Sequence, residues 1–335
     1  MADNIGTKQK SNVIRFNTIF IYWRTTLEFE HKSVMLNECI NGLNIKANGI
    51  YVDGTLGGAG HSKEIVKNLN EKGMLIGIDR DEDALTVAKE RLKEYSNTKF
   101  VHDNHDNIKE ILEDLGISGV DGILLDLGVS SYQLDERNRG FSYMGESSLD
   151  MRMDKSQKLD AKIVINTYSE EELSNIIFEY GEEKFSRKIA RNIVLARSQK
   201  PIETTKELVE IIEKSVPKKS DGHPAKRTFQ AIRIEVNDEI KPLYNCIRNC
   251  IDVLNPNGRL CVITFHSLED RAVKKAMVEA EGICTCPPGL PYCMCGKVSL
   301  GKVMTKKPIL PSEDEQKNNS RSKSAKLRIF EKKGV

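Results

Sequence analysis

The 335-residue chain has no apolar run near the roughly 18 residues that a membrane-crossing helix needs. Its one early candidate, Thr18-Ile19-Phe20-Ile21-Tyr22-Trp23, is too short, sits between Arg15 and Arg24, and lacks a small-residue cleavage site. That absence excludes an embedded or signal-led protein and predicts a cytoplasmic one. Tryptophan is almost missing as well. The single Trp23 falls in residues 1–27, a stretch without periodicity that reads as a disordered extension or as the product of an upstream start site. There are no internal repeats and no long low-complexity tracts, which excludes solenoids and fibrous folds. Net charge is only +2, so the total names no partner. A further absence concerns glycine. Gly58 and Gly60 are followed at the third position by Lys63, so the G-x-G-x-x-G turn of a dinucleotide site is not formed.

What is present describes a globular protein, 39% hydrophobic and 30% charged, with room for one large domain or two ordinary ones. Charge is unevenly placed. Glu183–Arg233 carries 13 Lys/Arg against 6 Asp/Glu, and Lys297–Val335 carries 11 against 4. Two basic regions on a nearly neutral chain suit a polyanionic partner, although either alone could be a solvated face. Cys39, Cys246, Cys250 and Cys261 stand singly among apolar neighbours and read as small core residues. Cys284, Cys286, Cys293 and Cys295 cluster as C-x-C-x6-C-x-C around prolines. In a cytoplasmic protein this spacing suits a tight loop of free thiols or a metal clip before disulfides, and the loop is the first reading.

From residue 49 onward, strand and helix patterns alternate. Unalternated apolar runs at Ile50–Asp53, Met74–Asp79, Phe100–His102, Gly122–Leu127 and Arg259–Phe265 predict parallel strands covered on both faces. His61–Leu69, Glu82–Tyr95 and Asn107–Leu115 predict the helices between them. Asn255-Pro256-Asn257-Gly258 reads as a turn before the fifth strand. Lys326–Lys332 alternates polar and apolar, predicting a final antiparallel edge strand with Val303–Ile309 as its hairpin partner. More than 130 residues separate the fourth and fifth strands, too many for one crossover helix. An inserted helical unit is therefore expected over 138–233, splitting a main domain into 28–137 and 234–335. Ser169 and Glu172 have capping-box spacing. In the helix expected at Lys184–Ser198, Phe185, Ile189, Ile193 and Ala196 share one face, with Lys184, Arg187, Lys188 and Arg191 opposite.

The most informative segment is Gly49-Ile-Tyr-Val-Asp53-Gly-Thr-Leu-Gly57-Gly-Ala-Gly60-His61, followed by Met74-Leu-Ile-Gly-Ile-Asp79. It reads as strand, glycine turn, helix start and a second strand ending in a carboxylate. A nucleoside needs that arrangement: backbone can approach it closely, a helix N-terminus offers N–H groups, and the acid accepts ribose hydroxyls. Asp53 before the turn favours a small cationic nucleoside such as S-adenosylmethionine. Asp79, taken to lie at an exposed strand end, should matter to ligand binding more than to stability. Thr264–Arg271 ends the fifth strand on the ligand-binding rim, so His266 is expected on the acceptor side.

Further segments have an identity. They are His31-Lys-Ser-Val-Met-Leu36, Asp126-Leu-Gly-Val-Ser130-Ser-Tyr-Gln133-Leu-Asp135 and Arg139-Gly-Phe-Ser142. Others are Leu149-Asp-Met-Arg-Met-Asp154, the run from His223 to Asn237, and Thr264-Phe-His266-Ser-Leu-Glu269-Asp-Arg271. Together they resemble the bacterial RsmH (MraW) family of 16S ribosomal RNA methyltransferases, from about Glu28 to Lys332. The resemblance implies a class I α/β methyltransferase fold, Rossmann-like, with a helical domain inserted after the fourth strand. It implies S-adenosylmethionine as donor, and as acceptor N4 of a decoding-centre cytidine in 16S rRNA of the small subunit. By motif position the implied donor contacts are Ala59, Gly60, His61, Asp79, His105, Asp126 and Gln133. His105 departs from the family, which usually has Phe there; an imidazole can stack on adenine but would make affinity pH-sensitive.

A cytosine amino group has a delocalised lone pair, while the sulfonium donor carries a good leaving group. Catalysis should then rest on positioning and on an acceptor for the amino protons. Ser130 and His266 are the candidates, since the acid or Ser before Pro-Pro-aromatic of other cytosine-N4 methyltransferases is missing. The target base must be unpaired or flipped out. Two other readings stand beside this one. A nicotinamide oxidoreductase is disfavoured by the absent dinucleotide turn. An RNA-binding assembly factor with a vestigial donor site is disfavoured by the intact glycines and Asp79.

Overall fold

In the computed structural model, residues 33–130, 133, 139–217, 222–287, 292 and 294–334 are described. The expectations for residues 1–27, for His31 and Lys32, and for Ser131 and Cys293 lie outside them. Seven strands form one sheet: β1 Ile50–Asp53, β2 Met74–Asp79, β3 Thr98–His102, β4 Val120–Asp126, β5 Leu254–Thr264, β6 Gly301–Val303 and β7 Lys326–Lys332. Their spatial order is β3-β2-β1-β4-β5-β7-β6. The five strands from β3 to β5 are parallel; β7 runs antiparallel to both β5 and β6. This is the class I methyltransferase arrangement, with the order reversing beside β1 and β4.

Alternate strand residues serve two cores, as the pleat requires. Val52, Ile76, Ile123, Leu125 and Val262 face one, closed by α4 (Ile108–Asp114), α10 (Leu243–Val253) and α11 (Ser267–Glu281). Tyr51, Leu75, Leu124, Cys261 and Ile263 face the other, closed by α1 (Leu36–Leu43), α2 (Gly60–Lys67) and α3 (Glu82–Arg91). Cys39 and Cys261 lie in the second core, Cys246 and Cys250 in the first.

Between β4 and β5 the chain forms α5 (Ala161–Thr167), α6 (Glu170–Glu179), α7 (Ser186–Arg197), α8 (Thr205–Ser215) and α9 (Ala225–Asn237). These enclose a third core, which includes Phe141, Met151, Leu173, Ile189, Ile193, Leu208, Phe229 and Ile232. Ser169 and Glu172 complete a capping box on α6, and Thr204 with Glu207 makes another on α8. On α7, Ile189 and Ile193 are buried, while Arg187, Lys188 and Arg191, with Lys184 just before the helix, are exposed. Phe185 is not on the buried side: it caps the helix start and is exposed.

Two strand expectations need correction. The Asn255–Gly258 segment is not a turn before β5 but a bulge within it. Val120 pairs with Leu254 and Gly122 already pairs with Arg259, the excess being absorbed where Asn257 takes φ 62°. Nor is β7 the edge. It lies inside the sheet, paired with β5 on one side and β6 on the other, and its Arg328 is buried against Asp270 at 2.6 and 3.1 Å. The edge strand is β6, at Gly301–Val303, and Ile309 reaches β7 only by a bridge to Leu327. Among the described residues no helix is long and apolar enough to cross a membrane.

Candidate active site

Three of the parallel strands end in carboxylates around the glycine turn: Asp53 on β1, Asp79 on β2 and Asp126 on β4. Asp53 is buried and accepts from Ser62 Oγ at 2.6 Å and from the Thr55 N–H at 3.2 Å. Thr55 Oγ1 in turn accepts the Asp126 N–H at 2.6 Å, fastening the turn to β4. Asp79 Oδ2 accepts the Gly57 N–H at 2.8 Å, and Oδ1 the Asp81 N–H at 2.9 Å. Gly57 can offer that N–H because it adopts φ 47°, a conformation costly to residues with a side chain. At Gly54 a Cβ would come within 2.5 Å of Leu125 Cδ2, so no larger residue fits between the strand ends.

Burial dominates the electrostatics here. It raises the Asp53 carboxyl above its usual range and pushes Asp79 and Asp126 each up to about 6. Asp126 Oδ1 is buried without a hydrogen-bond partner among the described residues, while Oδ2 lies 3.8 Å from His61 Nδ1. His61 Nε2 is 2.9 Å from the Val34 carbonyl, which assigns the hydrogen to Nε2 in the neutral ring. Nδ1 then faces Asp126 as a second acceptor. A rim of acceptors with one buried oxygen unsatisfied favours a ligand that brings positive charge and hydroxyl donors.

Ala59 is buried in the left-handed conformation, φ 57°, and starts α2. As first residues of that helix, Gly60 and His61 present N–H groups without intrahelical partners. His105 begins a short 3-10 turn after β3, and its Cβ lies 3.1 Å from where a Cβ on Gly54 would be. Burial, aided by Arg80, brings the His105 imidazole down to about 4 against the opposing pull of Asp106. The ring is therefore neutral near pH 7, and the pH-sensitivity expected of it moves to Asp79 and Asp126.

Gln133 is buried and fully engaged. Its Oε1 accepts the Ser130 N–H at 3.0 Å, its Nε2 donates to Asp81 Oδ2 at 2.8 Å, and its own N–H reaches Ser130 Oγ at 3.2 Å. It thus positions Ser130, whose Cβ stands 3.7 Å from where a side chain on Gly57 would begin. His266 caps α11 on the rim beyond β5. Its Nδ1 accepts the Glu269 N–H at 3.5 Å, so the neutral ring carries its hydrogen on Nε2. Nε2 lies 3.0 Å from Glu269 Oε1, an ion-pair distance, yet is not aligned with it as a hydrogen bond. His266 thus stands on the acceptor-side rim with Nε2 turned toward Glu269.

Sequence reasoning missed the buried pair of Arg139 and Asp81. Arg139 Nη1 donates to Asp81 Oδ2 at 3.0 Å, and Nη2 to the carbonyls of Arg152 and Met153 at 2.8 and 3.0 Å. Asn237, at the end of α9, accepts the Met153 N–H at 2.8 Å and donates to the Met151 carbonyl at 2.7 Å. Arg139 and Asn237 both stand in motifs quoted above, but nothing local in those motifs reveals a partner. A cleft of about 470 Å³ opens beside this network, lined among others by Arg80, His102, Asp103, Asp154 and Asn237. It flanks the ends of β2 and β3 and does not include the glycine turn.

Sheet order, glycine turn and strand-end acids together define a class I methyltransferase. Residues 28–333 match the MraW methylase family, and the chain belongs to that family, whose methyl donor is S-adenosylmethionine. It is 60% identical over 308 residues to the ribosomal RNA small subunit methyltransferase H of Clostridium botulinum (strain Kyoto / Type A2). That match covers 91% of this chain and 100% of the relative. It is 57% identical over 310 residues to the protein of the same name from Clostridioides difficile (strain 630), covering 91% and 100%.

Proposed function

We propose that this chain transfers the methyl group of S-adenosylmethionine to N4 of the decoding-centre cytidine of 16S rRNA, in the small ribosomal subunit. Full-length likeness to two small-subunit rRNA methyltransferases supports the coarser part, a methyltransferase acting on small-subunit rRNA; action in the cytoplasm belongs to the proposal. The cytidine N4 target rests on the ordered motifs from Asp126 to Arg271. One observation carries the donor site: Asp126 Oδ1, a buried acceptor without a partner among the described residues, at the strand ends where the turn and Asp79 also converge.

When bound, the donor supplies an electrophilic methyl group on a sulfonium. The chain's residues do the rest. Asp79 keeps unused lone pairs after taking two backbone N–H groups and receives the ribose hydroxyls. The N–H groups of Gly60 and His61 meet the anionic end of the donor, and Ala59 sets their direction. Asp126 accepts from the cationic end and is favoured in its ionised form by it. The neutral ring of His105 stacks on the base. On the acceptor side, Gln133 holds Ser130 so that Oγ can accept an amino N–H, orienting the nitrogen lone pair toward the methyl group. His266 stands on the acceptor side at the end of β5, its ring held by Glu269 and so positioning that rim. The helical unit at 138–233 holds RNA, and the exposed cations of α7 supply phosphate contacts.

Incubation with labelled S-adenosylmethionine and either small subunits or naked 16S rRNA, then digestion to nucleosides, tests the proposal. The expected product is N4-methylated cytidine from one site, with subunits the better substrate. Label in another nucleoside, or none, overturns it.

A further inference from the structure

Between the end of α11 and β6 the chain makes a lobe, and its described residues include none that is buried from 281 to 302. Ile283, Tyr292, Met294 and Val298 are exposed, and none of the three cores receives a side chain of the described residues from Ile283 to Ser299. The base of the lobe is nonetheless fixed. Gly282 ends α11 at φ 62°, and the Leu300 N–H returns to the Ala280 carbonyl at 2.9 Å. A segment of this length without apolar burial needs another source of order.

Its convergent atoms are sulfurs. Those of Cys284, Cys286 and Cys295 all lie within 4.8 Å of one another. Cys284 and Cys295 are 3.7 Å apart at sulfur. Tetrahedral zinc with Zn–S near 2.3 Å sets its ligand sulfurs about 3.8 Å apart, whereas a disulfide bond is about 2.05 Å. Backbone N–H groups are turned onto the same atoms. Cys286 N–H points to Cys284 Sγ at 3.4 Å, and both Met294 and Cys295 N–H point to Cys286 Sγ at 3.2 Å. Such donors stabilise thiolate charge and orient the sulfur lone pairs, as the surroundings of metal thiolates do.

We propose that Cys284, Cys286 and Cys295 bind one zinc ion that staples this lobe to the end of α11. The proposal takes the metal clip over the first reading, a loop of free thiols, on the convergence of three sulfurs. Each thiol releases its proton to solvent as its sulfur coordinates, and a protein sulfur or water completes the tetrahedron. The ion is structural. It lies outside the donor site and takes no part in methyl transfer.

The test uses the full-length chain, purified in reducing buffer without a metal-affinity step. Elemental analysis should give about one zinc per chain, released stoichiometrically by a thiol-modifying reagent. Cobalt substitution should produce a near-ultraviolet thiolate-to-cobalt band, absent from the Cys284→Ser/Cys286→Ser/Cys295→Ser variant. That variant should keep the main thermal transition, because none of the three side chains enters a core. Thiol reactivity of the unaltered chain with and without added zinc gives a readout that needs no variant. Equal reactivity in both conditions, no bound metal after zinc addition, metal retained by the triple variant, or a disulfide among these cysteines by mass spectrometry would each overturn the proposal.

Discussion

Asp79 holds the glycine turn as well as facing the ligand. With Gly57 and Asp81 N–H groups on its two oxygens, it is not the exposed strand-end acid that its position suggested. The two functions separate by substitution. Asp79→Asn keeps one acceptor oxygen but loses the charge that ribose hydroxyls would use, so donor affinity should fall by about 1.5–3 kcal/mol, at least tenfold. Asp79→Ala should weaken binding as much and also destabilise the fold by about 1–3 kcal/mol, since two backbone donors lose their partner. Titration calorimetry and thermal denaturation of both variants check this; unchanged donor affinity in either one removes Asp79 from the site. Its place was legible because a carboxylate after an unbroken apolar run marks a strand end. The Arg139–Asp81 pair was not, since a contact across 58 residues leaves no periodicity or spacing to read. Arg139→Ala should cost about 3–5 kcal/mol by stranding Asp81 in the interior, measurable by denaturant unfolding.

Among the elements, capped helices and unbroken parallel strands were the most legible. The Ser169 box predicted the start of α6 because a cap is chemistry contained in four residues. β7 was misjudged because the short β6, which pairs along its outer side, carries too little pattern to read as a strand, and the start of β5 because a Pro-Asn-Gly bulge has the composition of a turn. The function of α7 remains with its exposed side. Lys184, Arg187, Lys188 and Arg191 make no ion pair with a carboxylate of the described residues, unlike Lys162 and Lys200, which pair with Glu203 and Glu207. Replacing all four by Gln should weaken subunit binding and make its dependence on salt shallower, by up to four phosphate contacts. Donor affinity should not change, because the glycine turn lies on other elements. Binding measured across a salt series decides it, an unaltered slope meaning that this face is only solvated.

For the whole molecule, the buried acids couple ligand binding to stability with opposite signs. Asp79 and Asp126 titrate near 6 in the folded chain, and Asp53 is also raised, against 3.8 as the ordinary value. A carboxylate whose folded pKa is raised takes up its proton in the native state first. Its contribution to stability therefore grows as pH falls through about 6 and is complete below 3.8. Glu182, Asp270 and Glu269 act in the other direction. The Ser267 and Arg271 contacts of Glu182 lower it. For Asp270 and Glu269, burial raises the carboxyl but Arg328 and His266 more than offset it. Stability from these three is lost only as pH falls through values below the ordinary carboxylate range, outside the interval from 7 to 5.5. Without donor, the acids favour the folded chain as pH goes from 7 to 5.5, while His105, held down at about 4 against an ordinary 6.5, favours the unfolded one, so the melting temperature should change little. Donor binding requires the ionised acids, so its affinity should fall over that interval, and the stabilisation it adds should shrink. Melting curves at both pH values, with and without saturating S-adenosylmethionine, separate the two trends. A donor-induced shift that is the same at both values would mean that neither Asp79 nor Asp126 meets the donor as a carboxylate.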